Sequence, residues 1–131
     1  MDKKQQELFF RLNMFEQQIQ HLQQQLQAVE KAILDIGTLK NDLESIKNSK
    51  GKEIMASIGK GIFVKASVLS DELIVDIGGK NFVKKSVSET QEIMEKQTEK
   101  LEGIKEELSS AIEDINNNLT ETMNEFQKNH Q

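Results

Sequence analysis

Apolar residues in the first third of the chain recur at steps that alternate between four and three. They are Leu8, Leu12, Phe15, Ile19, Leu22, Leu26, Val29, Ile33 and Ile36. This heptad spacing places a narrow apolar stripe on one face of a helix, where the stripe can pack against a partner helix. The series continues at Leu39, Leu43 and Ile46, so two steps of three follow each other and predict a stammer near Gly37. We expect the helix to persist to about Asn48.

A second heptad stripe occupies the last third of the chain. Its members are Val87, Met94, Leu101, Ile104, Leu108, Ile112, Ile115, Leu119 and Phe126, with Gln97 interrupting them. Two consecutive steps of four near Leu108 predict a stutter. Ser86, with Glu89 three residues later, is typical of a capping box, in which each side chain satisfies a backbone amide at the start of a helix. We expect the second helix to begin there.

Between the helices the period changes to two, and this segment holds five of the seven glycines. Ile54, Ala56 and Ile58 would share one face of a strand, the run 59–61 (Gly-Lys-Gly) would turn the chain, and Ile62, Val64, Ala66 and Val68 would return it. A second hairpin is predicted from Leu73, Val75 and Ile77 through a turn at 78–81 (Gly-Gly-Lys-Asn) to the run Phe82, Val83, Lys84 and Lys85.

These patterns predict an α+β chain in three parts: a coiled-coil helix over residues 1–50, a double β-hairpin assembly region over 51–86 and a coiled-coil helix over 87–131. Each helix would extend roughly 65 Å, and helices of equal length joined by a short β segment are expected to pair antiparallel. A lone hairpin is marginally stable in water, so the two hairpins are expected to pair with strands of other subunits. The residues predicted to make this contact are Ile54, Ile58, Ile62, Val64, Val68, Leu73, Val75, Ile77, Phe82 and Val83.

Large apolar residues also fall off the stripe at the outer ends of the two helices. Phe10 and Met14 lie at heptad positions that point away from the partner helix, and Phe9 widens the patch. Exposed apolar clusters mark binding sites, and flexible Met beside Phe suits partners of varied sequence. The predicted binding residues are Leu8, Phe9, Phe10, Leu12, Met14, Phe15, Met123 and Phe126. The alternative is that they pack against one another as a frayed terminal cluster.

The amino-acid composition makes several classes of function unexpected for this chain. Proline and cysteine are absent, so no residue breaks a long helix and no disulfide or thiolate site can form. The net charge of −5 opposes binding to phosphate backbones, so nucleic acid is not an expected partner. The sequence shows no apolar run of the kind a signal peptide or membrane span requires, so we expect a soluble, cytoplasmic protein without membrane contact.

Few residues of the sequence suggest a phosphate-binding, metal-binding or catalytic site. The glycine-lysine turns at 59–61 and 78–80 do not fit a phosphate-binding loop, because neither has the required glycine spacing or leads into a helix. His21 has no histidine or cysteine at ligand spacing, so it is expected to face solvent and no metal is proposed. Two paired helices offer no enclosed cleft for catalytic carboxylates. We therefore expect no enzymatic activity and no cofactor.

The runs IGKGIFVKA (58–66), LIVDIGGKNFVKK (73–85) and LQQQLQAVEKAI (22–33) resemble α-class prefoldin subunits, whose mark is the double hairpin. The resemblance covers essentially the whole chain. It implies a hexamer of two α and four β subunits, in which the hairpins form a β-barrel platform that carries the coiled coils. It also implies an ATP-independent holdase, whose coiled-coil tips capture unfolded polypeptides for delivery to a group II chaperonin.

Two other functions are compatible with parts of the pattern. A structural scaffold or spacer would oligomerise through the same hairpins, but it would bind one fixed helical partner at its ends. A helical arm that contacts RNA would need a basic stripe along one helix, and the sequence has none.

Overall fold

A computed structural model describes residues 2–129 of the chain. It contains two long helices, α1 (Lys3–Ile46) and α2 (Val87–Asn129), separated by four strands. The strands are β1 (Glu53–Gly59), β2 (Ile62–Ser67), β3 (Glu72–Asp76) and β4 (Phe82–Ser86). They form two separate antiparallel sheets, β1 with β2 and β3 with β4. The predicted architecture of two coiled-coil helices joined by two hairpins is confirmed.

The chain divides into two compact units, each built from parts of both helices. The helical unit consists of Met1–Leu34 and Glu99–Gln131. The hairpin unit is Asp35–Thr98 and contains the end of α1, all four strands and the start of α2.

Both helices begin with a capping box. At α2 the Glu89 N–H donates to the Ser86 Oγ over 3.0 Å, and the Ser86 N–H donates to the Glu89 Oε1 over 3.2 Å, which confirms the prediction. At α1 the Gln5 N–H donates to the Asp2 Oδ1 over 2.8 Å, and the Asp2 N–H donates to the Gln5 Oε1 over 3.3 Å. This second box was not predicted, although the spacing of Asp2 and Gln5 carries its signature.

The first helix ends at Ile46, slightly before the expected limit near Asn48. Asn48 takes a positive φ of 61°, the left-handed conformation that commonly follows the last helical turn. The Ser49 hydroxyl donates to the carbonyl oxygens of Ser45, over 3.1 Å, and of Ile46. The Ile46 carbonyl oxygen also accepts a hydrogen bond of 3.1 Å from the Ser49 N–H, so Ser49 pairs with carbonyl groups at the end of the helix through both its backbone and its side chain.

Packing along α1 differs from the predicted stripe at one point. Leu39 is 48% exposed, whereas Lys40 is half-buried. The packed positions are therefore spaced by four residues from Ile36 to Lys40 and by three from Lys40 to Leu43, which keeps the heptad spacing. The predicted stammer near Gly37 is therefore wrong. The reason is chemical, because lysine can lay its aliphatic stem in a packed position while its ammonium group reaches a polar partner.

The seam of α2 is also more regular than its apolar residues suggest. Ile104 is 44% exposed and Lys105 is half-buried in its place, so the predicted stutter near Leu108 is wrong. Thr98, which is half-buried, occupies the seam position between Met94 and Leu101, and Gln97 is exposed. The seam positions of α2, all buried or half-buried, are Val87, Thr90, Met94, Thr98, Leu101, Lys105, Leu108, Ile112, Ile115, Leu119, Thr122 and Phe126. The spacing between successive seam positions alternates between three and four residues except at Met94, where two spacings of four follow each other.

The core of the hairpin unit is small and joins both helices to the second hairpin. Leu43, Val87 and Met94 are buried together, with Ile36, Ile46 and Leu73 packed partly against them. Two polar contacts flank this cluster. Lys40 Nζ lies 2.7 Å from Glu95 Oε1, and Gln91 Nε2 donates to Glu44 Oε2 over 2.8 Å. Because the contacts advance along α1 as they retreat along α2, the helices run antiparallel in this unit.

The first hairpin pairs Ile54 with Ala66 and Ala56 with Val64, and its register shifts at a bulge between Ser57 and Gly59. In its turn Gly59, Lys60 and Gly61 all have positive φ. The same pairing continues past the strand ends, since the Val68 N–H donates to the Lys52 carbonyl oxygen over 3.0 Å. The predicted turn position is confirmed.

The second hairpin pairs Val75 with Val83 and Asp76 with Phe82. The Asn81 N–H donates to the Gly78 carbonyl oxygen over 3.1 Å, which closes the predicted four-residue turn. Its central residues Gly79 and Lys80 have φ of 61° and 62°. Positive φ at both central positions is typical of the primed turns whose twist matches that of a hairpin.

We predict that the antiparallel contact near Glu95 depends on pH. The hydrogen bond from Lys40, and next the charge of Lys40, hold the pKa of Glu95 below its ordinary value of 4.5. A lowered pKa stabilises the folded state above pH 4.5, and this contribution disappears as the pH falls through the lowered value. Glu95→Gln should therefore reduce the free energy of unfolding more at pH 7 than at pH 3, as measured by urea unfolding at both pH values.

Glu92→Gln is the matched control, because Glu92 is exposed on the same helix and forms no ion pair with any residue in 2–129. Equal losses for the Glu95 and Glu92 variants at pH 7 would contradict the prediction.

Candidate functional site

Four of the eight residues predicted to bind polypeptides present large apolar surfaces to solvent. Phe9 is 49% exposed, Phe10 65%, Met14 42% and Met123 46%. We call these four side chains the end patch, since three lie near the start of α1 and the fourth lies near the end of α2. All four belong to the helical unit.

The other four predicted residues lie in the seam. Leu8 is only 2% exposed, and Leu12, Phe15 and Phe126 are half-buried. Their heptad positions explain the difference, because seam side chains point at the opposite helix whereas end-patch side chains point away from it. The seam residues therefore contribute less exposed surface than the end patch.

A shallow groove of about 270 Å³ lies beside Met14 and is otherwise lined by Gln17, Gln18 and His21. The His21 Nε2 lies 3.3 Å from the Gln25 Nε2 on the outside of the helix. In residues 2–129 no three histidine, aspartate or glutamate side chains lie close enough to hold a metal ion. The groove therefore extends the end patch with amide groups rather than with a reactive centre.

The residues predicted to drive assembly divide between exposed and half-buried positions. Those that are exposed are Ile54, Ile58, Ile62, Val64, Ile77 and Phe82, at 39 to 65%. Val68, Leu73, Val75 and Val83 are half-buried. Leu73 packs partly against the core of its own hairpin unit, so part of its surface is used within the chain. The exposed residues keep open apolar surface on both hairpins, and their role in assembly stays a prediction.

Sequence reasoning missed several equally exposed apolar residues of the hairpin unit. Met55 is 63% exposed and Phe63 53%, and both alternate with the predicted face of the first hairpin. Ile74 is 71% exposed on the second hairpin, and Leu69 is 84% exposed between the two. A signal was present, because uninterrupted apolar runs such as Ile54-Met55-Ala56 are typical of strands covered on both faces.

The perturbed carboxyl groups of the chain mark helix contacts rather than a catalytic centre. A hydrogen bond from Gln91, and next the charge of Lys47, lower the pKa of Glu44. Backbone and side-chain hydrogen bonds with Ser86 lower the pKa of Glu89. Each of these carboxylates is stabilised in its charged form on the protein surface, which is the opposite of the raised pKa a general acid requires. In the described part of the chain no helix is apolar over a length sufficient to cross a bilayer.

Comparison with known proteins identifies the family. Residues 15–131 match the prefoldin subunit family. The prefoldin subunit alpha of Methanococcus vannielii is 30% identical over 129 residues, which cover 98% of this chain and 87% of that protein. The prefoldin subunit alpha of Methanosphaera stadtmanae is 30% identical over 84 residues, which cover 64% of this chain and 61% of that protein.

The fold has a counterpart among solved structures. A chain in the cryo-EM structure of filamentous PFD from Methanocaldococcus jannaschii superposes with a TM-score of 0.78 at 20% sequence identity. The match covers 88% of this chain and 97% of that chain. The chain therefore belongs to the prefoldin family, whose members are chaperone subunits and not enzymes. Its two consecutive hairpins and its similarity to subunits named alpha make it an α-class subunit.

The division between seam and end patch leads to a prediction about stability. Leu8→Ala should lower the free energy of unfolding by about 2 kcal/mol or more, because it opens a cavity at a buried contact. Phe10→Ala removes a larger side chain but should change stability by about 0.5 kcal/mol or less, since that side chain faces solvent. Urea unfolding followed by circular dichroism measures both. A Phe10 variant as unstable as the Leu8 variant would show that Phe10 is part of the core.

Proposed function

We propose that this chain is the α subunit of an ATP-independent holdase that captures unfolded polypeptides on its end patch. The observation that carries the proposal is the exposure of Phe9, Phe10, Met14 and Met123 near the outer helix ends of the helical unit, where the other large exposed apolar residues of the described structure are Leu34 and Ile104. Unfolded chains share exposed apolar side chains but no common sequence. A patch of two flexible thioethers and two phenyl rings suits such partners, because it can repack around different side chains.

The hairpins supply the proposed assembly surface. Ile58, Ile62 and Phe82 are each more than half exposed on sheets of only two strands. Two-stranded sheets leave all their outer backbone groups open, and strands of another subunit can pair with these groups while covering the apolar side chains. We propose that the partners are β-class prefoldin subunits, in a hexamer of two α and four β subunits whose hairpins close into a β-barrel platform.

Hand-over of the captured polypeptide to a group II chaperonin completes the proposed cycle, which would take place in the cytoplasm. Release needs no nucleotide if each end patch binds weakly and several patches act together. Several weak contacts give a long-lived complex through avidity, and the complex dissociates stepwise when the chaperonin competes for the same apolar segments. The lack of cysteine suits a reducing compartment.

Replacing Phe10 by Gln and Met14 by Ser should weaken capture of unfolded protein while leaving assembly and melting nearly unchanged. Burial of a large apolar side chain against a bound polypeptide is worth roughly 1.5–3 kcal/mol, and avidity multiplies the loss over several subunits. The measurement is light scattering of a denatured test protein diluted into the assembled oligomer without ATP.

Gln24→Ser is the control for this test, because Gln24 is an exposed residue of α1 outside the end patch. If both variants suppress aggregation as well as the unmodified oligomer, the end patch does not bind polypeptides. In that case the alternative of a structural scaffold, with one fixed helical partner, gains support.

Replacing Ile62 and Val64 by Ser should abolish assembly with β-class subunits and leave the helical content intact. Both side chains are exposed on β2, at 56% and 45%, and neither belongs to the core of the hairpin unit. Sedimentation velocity and circular dichroism provide the two measurements. The matched control replaces Leu34 and Ile104 by Ser, since these apolar residues are 70% and 44% exposed on the helices. Normal assembly of the strand variant would exclude the hairpins as the contact.

A further inference from the structure

One stretch of α1 carries no charged side chain. Residues 17–29 contain seven glutamines and no aspartate, glutamate, lysine or arginine, although charged residues make up 30% of the whole chain. Helix formation does not require this composition, because glutamate and lysine favour a helix about as much as glutamine does. Solubility does not require it either, since acidic side chains raise solubility. A contact between this stretch and another molecule would explain the choice of glutamine.

Part of the uncharged stretch continues the end patch along the outside of α1. The groove beside Met14 opens onto residues that follow Met14 at steps of four, three, four and three. Such steps keep side chains on one face of a helix. All of these residues are exposed, and all belong to the helical unit. Together with Gln17, which also lines the groove, they form what we call the neutral stripe: Gln17, Gln18, His21, Gln25 and Ala28.

The glutamine side chains of the neutral stripe have hydrogen-bonding groups to offer a partner. Among residues 2–129, the amides of Gln17 and Gln18 make no hydrogen bond. The Gln25 Nε2 lies 3.3 Å from the His21 Nε2, and because an amide nitrogen can only donate, the imidazole is the acceptor and the Gln25 carbonyl oxygen stays open. The stripe therefore presents donors and acceptors together without a charge.

The backbone of an unfolded polypeptide has the matching chemistry. Every residue except proline carries one N–H donor and one C=O acceptor, whatever its side chain. An extended segment repeats these groups along one edge about every 6.6 Å, and successive residues of the stripe are about 4.5–6 Å apart along the helix axis. Long glutamine side chains can accommodate the difference. Covering an amide also costs less hydration free energy than covering a charged group.

We infer that the neutral stripe binds the backbone of an extended segment of the captured polypeptide, while the end patch binds its apolar side chains. The inference rests on the proposed function and adds a sequence-independent contact to it. The stripe extends roughly 16 Å from Gln17 to Ala28, which matches about five extended residues. Apolar contacts differ from one polypeptide to the next, whereas these backbone contacts are the same for all.

A pair of synthetic peptides tests the backbone contact on the assembled oligomer. Each has about ten apolar and uncharged polar residues, which is long enough to reach from the end patch along the stripe. The second peptide has the same side chains but carries N-methyl groups on alternate residues, which remove the N–H donors of one edge. The oligomer should bind the unmethylated peptide about threefold to tenfold more tightly, as measured by fluorescence anisotropy of the labelled peptides.

Replacing Gln17, Gln18 and Gln25 by Ala should weaken binding of the unmethylated peptide about threefold to tenfold and remove the preference for it. Alanine is a strong helix former, so the variant should keep its helical content. The matched control replaces three other exposed glutamines of the same stretch, which lie at heptad positions away from the stripe: Gln20, Gln23 and Gln27. This control should bind both peptides as the unmodified oligomer does.

Equal weakening in the stripe variant and in the control variant would overturn the inference. So would a stripe variant that keeps the preference for the unmethylated peptide. Because N-methyl groups also prevent helix formation, a third peptide with the same side chains is locked into a helix by a hydrocarbon crosslink. It should bind more weakly than the flexible peptide, and tighter binding would show that the stripe does not hold an extended backbone.

Failure of the inference differs from failure of the proposed function. If the variant with Phe10→Gln and Met14→Ser loses peptide binding while the stripe variant keeps it, the end patch captures polypeptides and the neutral stripe does not. If the Phe10 and Met14 variant also binds both peptides as tightly as the unmodified oligomer, the proposed function itself is wrong.

Discussion

The narrow seam between α1 and α2 is the contact on which the rest of the molecule depends. Within residues 2–129 only four hydrophobic side chains are buried, and they are Leu8, Leu43, Val87 and Met94. Two helices pressed together enclose a single line of side chains, so each residue lies either on that line or on the surface. The chain thus has little apolar burial to stabilise it alone, and it has a large surface available for partners. Both properties fit a subunit that functions within an oligomer.

Much of this arrangement could be predicted from the sequence because the relevant signals are local. Heptad spacing, glycines at turns and the Ser86–Glu89 pair each report on a few neighbouring residues, and each was confirmed. The errors arose where a polar residue occupies a packed position. Lys40 and Lys105 are half-buried and displace Leu39 and Ile104, so a search for apolar residues alone found the wrong neighbour. Side-chain length and a partner such as Glu95 decide these positions, and neither is visible in the spacing.

The candidate surfaces were predicted less completely than the fold. Heptad position separated Phe10 and Met14 correctly from the seam, but Leu8, which the same heptad series assigns to the seam, was also predicted to bind polypeptides although it is only 2% exposed. In the hairpins, alternation identified one apolar face, while Met55 and Phe63 cover the other. A two-residue period identifies the buried face of a sheet whose other face is exposed to solvent, but it cannot identify the covered face of a strand that is apolar on both sides. Which of these side chains meet another subunit depends on the partner, whose surface this sequence does not encode.

The absence of a loop between β4 and α2 has a consequence for how binding is transmitted. Ser86 is the last residue of β4 and also supplies the cap of α2, whereas residues 47–52 separate α1 from β1. Helix nucleation is the costly step in forming a helix, and a fixed cap lowers that cost at one end. A partner strand that holds β4 in place would therefore reduce fraying in the first turns of α2 directly, whereas it would affect the end of α1 only through the packing of Leu43 and Ile46 with Val87 and Leu73. The bound partner would therefore stabilise the ends of the two paired helices to different degrees.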